Sequence, residues 1–209
     1  MPRLATENTI ASFALALDAG AEGIELDVHA TRDGVVIVHH DPVLRNGVVI
    51  ADTSFAALHE SAGLDSTKLP TLGEVCALVQ GRAELFVEIK GAAIERRVLE
   101  VLRRHEGSFA IHSFDHGLIA RIHALDHTLR LGVLFEELPV ELSGVMSATG
   151  ALDVWPHAPL ITPALVDEVH AAAGRVLAWT VNDVTMARRL ATYGVDGLCG
   201  DDVRLLGSA

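Results

Sequence analysis

The stretch Gly23-Ile24-Glu25-Leu26-Asp27-Val28, followed by Asp33-Gly34 and then by Val35-Val36-Ile37-Val38, indicates the fold. In the first run, apolar residues alternate with Glu25 and Asp27, which predicts a strand with one apolar and one acidic face. Asp-Gly is a hairpin signal, so the second run is expected to fold back as an extra strand. It is therefore not the next unit of a β/α repeat.

Six more short strands are predicted downstream, with helical stretches between them. These strands are Leu85–Lys90, Phe109–Phe114, Leu131–Phe135, Leu152–Trp155, Val176–Val181 and Gly197–Cys199. Such an alternation indicates a parallel sheet, either a barrel or a doubly wound sheet. The first strand does not lead into the GxGxxG turn of a Rossmann sheet. Polar residues gather where strands end, as in TIM barrels, so we predict an α/β TIM (β/α)8 barrel in one domain over residues 1–209.

Helix periodicity and capping signals mark the segments between the strands. The predicted helices are Glu7–Ala19, Thr71 to about Gln80, Ile94–Arg104, Gly117–Leu125, Pro139–Ala148, Pro163–Ala173 and Val184–Tyr193. Thr6 or Asn8 is expected to cap the first helix and Gly20 to end it. Thr71 and Glu74 have the spacing of a capping box. A less regular stretch is predicted from Leu44 to about Lys68.

The strand count is one short of a full barrel. Seven parallel strands are predicted, and the chain opens on a helix with no strand before it. A barrel with a free edge would expose unpaired backbone groups. We therefore expect the first strand to lie upstream of Met1.

Composition excludes several classes of protein. The 209 residues contain 16 Lys and Arg against 28 Asp and Glu, a formal charge of −12, with 11 His and 2 Cys. This balance argues against a nucleic-acid partner, and the cysteines are too few for a disulfide framework. The chain has no apolar run of membrane-spanning length, which predicts no stable membrane insertion. If Met1 is the true start, a cytoplasmic location is expected. The oligomeric state stays open.

Three carboxylates are the first candidate site residues. Glu25 and Asp27 lie two apart on a strand and so share a face, and Glu88 is flanked in the same way by Val87 and Ile89. Carboxylates at adjacent strand ends suit a hard divalent cation, Mg²⁺ or Ca²⁺. Two alternatives stay open: a solvated acidic face, or a general acid/base pair as in glycosidases.

Four other residues are candidates around these carboxylates. His40 ends the second apolar run and is placed for proton transfer, although a lone histidine is more often structural. His29 has the same strand parity as Asp27, so it is a candidate for lining the site. Lys90 has the parity of Glu88 and can neutralise a phosphate oxygen or pair with a carboxylate. Trp179 either walls the pocket or packs in the core.

An ordered set of motifs resembles the glycerophosphodiester phosphodiesterase family over essentially the whole chain. The motifs are Glu7-Asn8-Thr9, Gly23–Val28, Thr31–Gly34, His40-Asp41-Pro42, Leu69–Leu72, Val87–Lys90, Ser113-Phe114-Asp115, Trp179–Asn182 and Gly194–Gly197. The resemblance implies a TIM barrel that hydrolyses glycerophosphodiesters to an alcohol and glycerol 3-phosphate. The implied partner is therefore a small-molecule substrate. It implies Glu25, Asp27 and Glu88 as metal ligands, His40 as a catalytic histidine, and Lys90 and Trp179 in the substrate pocket.

Two departures from the family pattern leave other functions open. The family's opening His-Arg-Gly is not found, since no histidine precedes His29. In addition, Gly200–Val203 replaces a closing Thr-Asp-Arg-Pro-like motif, and we expect a modest effect of this replacement on the start of the last helix. One alternative is a truncated, inactive family member that binds phosphodiesters or a protein partner. Another is a related barrel that acts on a phospholipid head group, as in the sphingomyelinase D group. That function would require an exposed aromatic docking loop, which the sequence does not show.

Overall fold

The computed structural model describes residues 1–2, 4–62 and 69–207 of the chain. They divide into two compact units, Met1–Phe109 and Ala110–Ala209. Each unit alternates strands and helices, as the sequence predicts. A single domain over residues 1–209 stays a prediction.

The first unit carries a three-stranded sheet in the order β2-β1-β3. Its elements are α1 (Ile10–Asp18), β1 (Gly23–Ala30), β2 (Val36–Val38), α2 (Phe55–Ala62), α3 (Leu72–Val79), β3 (Glu84–Ile89) and α4 (Glu95–Leu102). β2 pairs with β1 in the antiparallel sense, with Val28 opposite Val38, so the extra strand after the Asp-Gly turn is confirmed. β3 is parallel to β1 and places Glu88 opposite Asp27.

The second unit continues the repeat with strands in chain order. Its elements are β4 (Phe109–Ser113, beginning on the last residue of the first unit), α5 (His116–Leu125), β5 (Arg130–Phe135), α6 (Leu142–Thr149), β6 (Asp153–Pro156), α7 (Pro163–Ala171), β7 (Arg175–Ala178), α8 (Val184–Tyr193), β8 (Gly197–Leu198) and α9 (Val203–Leu206). A 3₁₀ turn, Ala158–Leu160, follows β6. Each strand from β4 to β8 is parallel to the next. All seven predicted parallel strands are thus found within the described residues.

The apolar strand face of the first unit packs under its helices. Leu26, Val28, Leu85 and Val87 are inaccessible to solvent, and so are Val75 and Val79 of α3 and Val98 and Leu102 of α4. Each such side chain contributes roughly 1.5–3 kcal/mol when it is removed from water.

The stretch after β2 contains a helix that the sequence analysis missed. Leu58 on α2 is fully buried in a small apolar cluster with Ile37, Leu44, Ile50 and Leu69. This packing between distant residues stabilises a short helix that has no strong capping signal of its own. Residues 63–68 of the predicted irregular stretch lie outside the described residues.

The helix ends show which capping predictions are correct. Thr71 and Glu74 form the predicted capping box, and Gly20 has the left-handed φ of 87° expected where α1 ends. The cap of α1 is Thr9, whose side chain accepts a hydrogen bond from the Ser12 amide. The predicted caps Thr6 and Asn8 are wrong. A cap needs extended backbone, and Asn8 has a φ of 55°.

A buried charge cluster joins the starts of three strands in the second unit. Asp153 is inaccessible to solvent and accepts hydrogen bonds from Arg130 Nε (2.7 Å), Arg175 Nε (2.9 Å) and Arg175 Nη2 (2.7 Å). Because the partners come from neighbouring strands, the cluster ties β5, β6 and β7 together at the ends where they begin. In none of the described segments is a helix both long and apolar enough to cross a membrane.

Candidate active site

The three predicted carboxylates lie together in the first unit. Glu25 and Asp27 project from the same face of β1, and Glu88 lies opposite Asp27 on β3. Asp27 and Glu88 are buried, and carboxylate oxygens of Glu25 and Glu88 lie within 4.8 Å of each other. The shared face is as predicted. The assignment of these residues as metal ligands stays a prediction.

Lys90 lies among the carboxylates. Its Nζ is 3.4 Å from Asp27 Oδ1 and 3.3 Å from Glu88 Oε1. Burial alone would lower the pKa of Lys90, but the two carboxylates raise it above its ordinary value. The ammonium group therefore offsets part of the negative charge.

The pKa of Glu25 indicates that Lys90 does not neutralise all of the negative charge of the carboxylates. Although the residue keeps partial exposure, removal of water around its carboxyl raises its pKa well above the ordinary value, and the charge of Asp27 raises it further. The positive charges of Lys90 and His40 act in the opposite direction. The cluster thus favours a proton or another cation beside Glu25.

Asn8 is a site residue that the sequence analysis did not single out. Its Nδ2 donates to Asp27 Oδ2 at 2.8 Å, and its Oδ1 accepts from the Asp27 amide at 3.2 Å. Asparagine tolerates the left-handed backbone found at this position. The side chain of Asn8 thus holds both the carboxylate and the backbone amide of Asp27.

His40 lies beside the cluster, as predicted. Its Nε2 is 3.3 Å from Lys90 Nζ, and its Nδ1 is 2.8 Å from Asp41 Oδ1. Burial would lower the pKa of His40, but the hydrogen bond to Asp41 and the charge of Asp27 outweigh it and raise the pKa. The structure thus brings His40, Lys90 and the carboxylates together.

His29 lies beneath the loop that carries His40. It is buried, and its Nε2 is 3.1 Å from the His40 carbonyl oxygen. Burial lowers its pKa, which favours the neutral ring. A role of His29 in binding substrate stays a prediction. Its observed contact is with the backbone of His40.

Trp179 lies in the second unit, just after β7. It is half-buried, and its Nε1 donates to the Trp155 carbonyl oxygen at 2.9 Å. Its ring meets Phe114 edge-on at 5.5 Å and His157 at 5.4 Å. The residue is therefore part of an aromatic cluster at the carboxyl ends of its unit's strands.

His112, on β4, is another residue that the sequence analysis did not single out. It is buried and stacks on Trp155 with ring centroids 4.6 Å apart. In the sequence, the feature that could have drawn attention to His112 is a histidine inside an otherwise apolar strand.

The replaced motif near the end of the chain has its own hydrogen bonds. Asn182 Nδ2 donates to Asp201 Oδ2 at 2.7 Å, and the Asp201 amide donates back to Asn182 Oδ1 at 2.9 Å. Asp202 then caps α9 and pairs with Arg204 at 2.6 Å. Entry into the last helix is thus provided by an aspartate.

Comparison with known proteins identifies the family. The model of the glycerophosphoryl diester phosphodiesterase family matches residues 1–205. The chain belongs to this family. One relative, the glycerophosphodiester phosphodiesterase of Caldanaerobacter subterraneus subsp. tengcongensis, is 30% identical over 219 residues, covering 96% of this chain and 90% of the relative.

Solved structures with similar folds extend the comparison over nearly the whole chain. The family member from Thermotoga maritima has a TM-score of 0.86 at 25% identity and covers 99% of this chain and 93% of its own. An Oleispira antarctica phosphodiesterase, solved with the product sn-glycerol-3-phosphate, has a TM-score of 0.87 at 24% identity, with coverages of 97% and 90%. The predicted fold class, α/β of the TIM-barrel type, is confirmed by these matches.

Proposed function

We propose that this chain hydrolyses glycerophosphodiesters to an alcohol and glycerol 3-phosphate. The observation that carries the proposal is the cluster of Glu25, Asp27, Glu88, Lys90 and His40 in a chain of this family. Two named proteins support it: the Caldanaerobacter relative is called a glycerophosphodiester phosphodiesterase, and the Oleispira structure holds sn-glycerol-3-phosphate.

The acidic cluster fits a divalent cation, Mg²⁺ or Ca²⁺. Carboxylate oxygens are the donors that both ions prefer. Burial and, after it, the charge of Asp27 raise the pKa of Glu25 in spite of the positive charge of Lys90, so a further positive charge beside this carboxylate would be stabilising. We therefore assign Glu25, Asp27 and Glu88 as the ligands. When bound, the cation supplies positive charge that polarises the phosphodiester.

Of the remaining residues, His40 is assigned to proton transfer and the others to substrate binding. Lys90 offers an ammonium group to a phosphate oxygen, next to the carboxylates that hold it in place. His40 moves a proton at Nε2, either from the attacking hydroxyl group or to the departing alkoxide. Trp179 offers an aromatic surface to the apolar part of the substrate. His29 supports the loop of His40 and is a candidate substrate contact.

A second candidate function is binding without turnover. Residues 1–28 contain no histidine, whereas the family pattern opens on His-Arg-Gly. In that case the cluster would bind a phosphodiester, or a protein partner would use the same surface, with no product released.

One experiment separates these functions. The purified chain is incubated with sn-glycero-3-phosphocholine and Mg²⁺ or Ca²⁺, and glycerol 3-phosphate is measured by a coupled dehydrogenase assay. We expect release of glycerol 3-phosphate and a rate at least about a hundredfold lower for His40→Gln. Calorimetric binding without release would favour the second candidate. A preference for sphingomyelin or lysophosphatidylcholine would instead favour a phospholipase-type activity.

A further inference from the structure

The two ring nitrogens of His40 have chemically different partners. Nδ1 lies 2.8 Å from Asp41 Oδ1, and Nε2 lies 3.3 Å from Lys90 Nζ. A carboxylate only accepts hydrogen bonds and an ammonium group only donates them. The neutral ring satisfies both contacts in one tautomer, with its proton on Nδ1. The lone pair of Nε2 then points toward Lys90.

The backbone on which this arrangement rests is held by two other histidines. The buried His29 contacts the His40 carbonyl oxygen through Nε2 at 3.1 Å. His39 Nδ1 lies 2.8 Å from the backbone oxygen and 3.2 Å from the backbone nitrogen of Asp41. The His40 side chain itself is 53% exposed, so packing leaves its ring room to turn. Its orientation therefore depends on hydrogen bonds.

We propose that Asp41 is a positioning residue for His40. It holds the proton on Nδ1 and turns Nε2 toward the carboxylate cluster. The inference rests on the proposed function, in which Nε2 exchanges the proton. When Nε2 takes a proton from the attacking hydroxyl group, the ring becomes an imidazolium, and the Asp41 carboxylate stabilises its charge. In the alternative role, the imidazolium gives its Nε2 proton to the departing alkoxide, and the ring becomes the Nδ1–H tautomer that Asp41 favours.

Kinetics of Asp41 variants test the inference against a purely structural role. We expect Asp41→Ala to lower kcat about tenfold with KM changed by less than about twofold, because Asp41 acts through His40 and not on the substrate. Asp41→Asn keeps an acceptor oxygen for Nδ1–H and should recover part of the loss. Asp52→Ala removes another exposed carboxylate from the loop region after β2 and serves as the matched control. Its kcat should equal that of the unmodified chain.

A double-mutant cycle sharpens this test. In a His40→Gln background there is no ring to position, so adding Asp41→Ala should lower the residual kcat by less than about twofold. A full tenfold loss in that background would overturn the inference. So would a kcat for Asp41→Ala equal to that of the Asp52→Ala control.

A second readout does not depend on activity. Nitrogen-15 NMR of histidine-labelled protein distinguishes Nδ1–H from Nε2–H, and the His40 signals are assigned by their loss in His40→Gln. At a pH high enough to keep the His40 ring neutral, we expect the Nδ1–H tautomer in the unmodified chain and a shift toward Nε2–H in Asp41→Ala. An Nε2–H tautomer in the unmodified chain would refute the inference. If the chain released no glycerol 3-phosphate, the proposed function would fail, and the NMR result would still decide the role of Asp41.

Discussion

Replacing Asp153 by asparagine removes a buried negative charge from between two guanidinium groups while keeping the shape of the side chain. Asp153 is fully inaccessible, and the side chains of Arg130 and Arg175 are 31% and 29% exposed. Breaking a buried ion pair by removing one partner costs about 3–5 kcal/mol. Since water reaches both arginines in part, we expect a loss near the lower end, about 3 kcal/mol in the free energy of unfolding.

Thermal unfolding and urea unfolding measure this loss. For a chain of this size, about 3 kcal/mol corresponds to a decrease in Tm of about 6–12 °C. Fluorescence of Trp155 and Trp179 reports on the second unit, which contains the cluster. The urea midpoint should fall with little change in the m-value.

The matched control is Asp18→Asn. Asp18 pairs with Arg82 at 3.0 Å, but the side chains are 71% and 48% exposed. A surface pair of this kind contributes at most about 1 kcal/mol. Equal effects of Asp153→Asn and Asp18→Asn would refute the reasoning that burial makes the Asp153 cluster important for stability.

Three further predictions follow from single side chains. Lys90→Met should lower kcat/KM about a hundredfold while binding Mg²⁺ or Ca²⁺ at least as tightly in calorimetry, because the competing ammonium group is gone. Burial raises the pKa of Cys76 to about 11, so iodoacetamide at about pH 8 should modify the half-exposed Cys199 before Cys76, measured by mass spectrometry. Burial lowers the pKa of His105 in the folded chain, so the unfolded chain binds the proton more readily. Stability should therefore fall as the pH drops below about 6.5, and His105→Gln should reduce that slope in urea titrations.

Each of these predictions has a contradicting result. Weaker cation binding by Lys90→Met would show that the lysine supports the cation site. Equal alkylation rates of Cys76 and Cys199 in the native chain would contradict the burial of Cys76, with urea-unfolded protein as the control in which both react. An unchanged pH slope in His105→Gln would show that the folded and unfolded chains bind this proton equally.

Local sequence patterns were enough to predict most of the fold. The alternation around Glu25 and Asp27 and the turn at Asp33-Gly34 act over a few residues, and the structure has both the strand and the hairpin. The capping box at Thr71 is equally local. Asn8 was wrongly predicted to cap α1 because its side chain instead forms a hydrogen bond with Asp27, 19 residues away. The helix α2 was missed because burial of Leu58 among distant apolar residues stabilises it.

In the candidate site, too, the features set by local sequence were predicted and those set by contacts between distant segments were not. Strand parity predicted that Glu25 and Asp27 share a face, and the apolar neighbours Val87 and Ile89 predicted the same kind of face for Glu88, because both patterns follow from the sequence alone. The hydrogen bonds of Asn8 and the contact of His29 with the His40 backbone depend on how separate segments meet. The pairing of Asp41 with His40 depends on a side-chain rotamer, which sequence spacing does not specify.

The most direct test of the central claim is a metal add-back experiment on the purified chain. The chain is stripped with a chelator, and release of glycerol 3-phosphate from sn-glycero-3-phosphocholine is followed as Mg²⁺ or Ca²⁺ is titrated in. We predict no release in the chelator, saturable recovery with the added ion, and no recovery over the same range for Glu88→Gln. A full rate in the chelator, or equal recovery by Glu88→Gln, would contradict the assignment of the acidic cluster as the cation site of a phosphodiesterase.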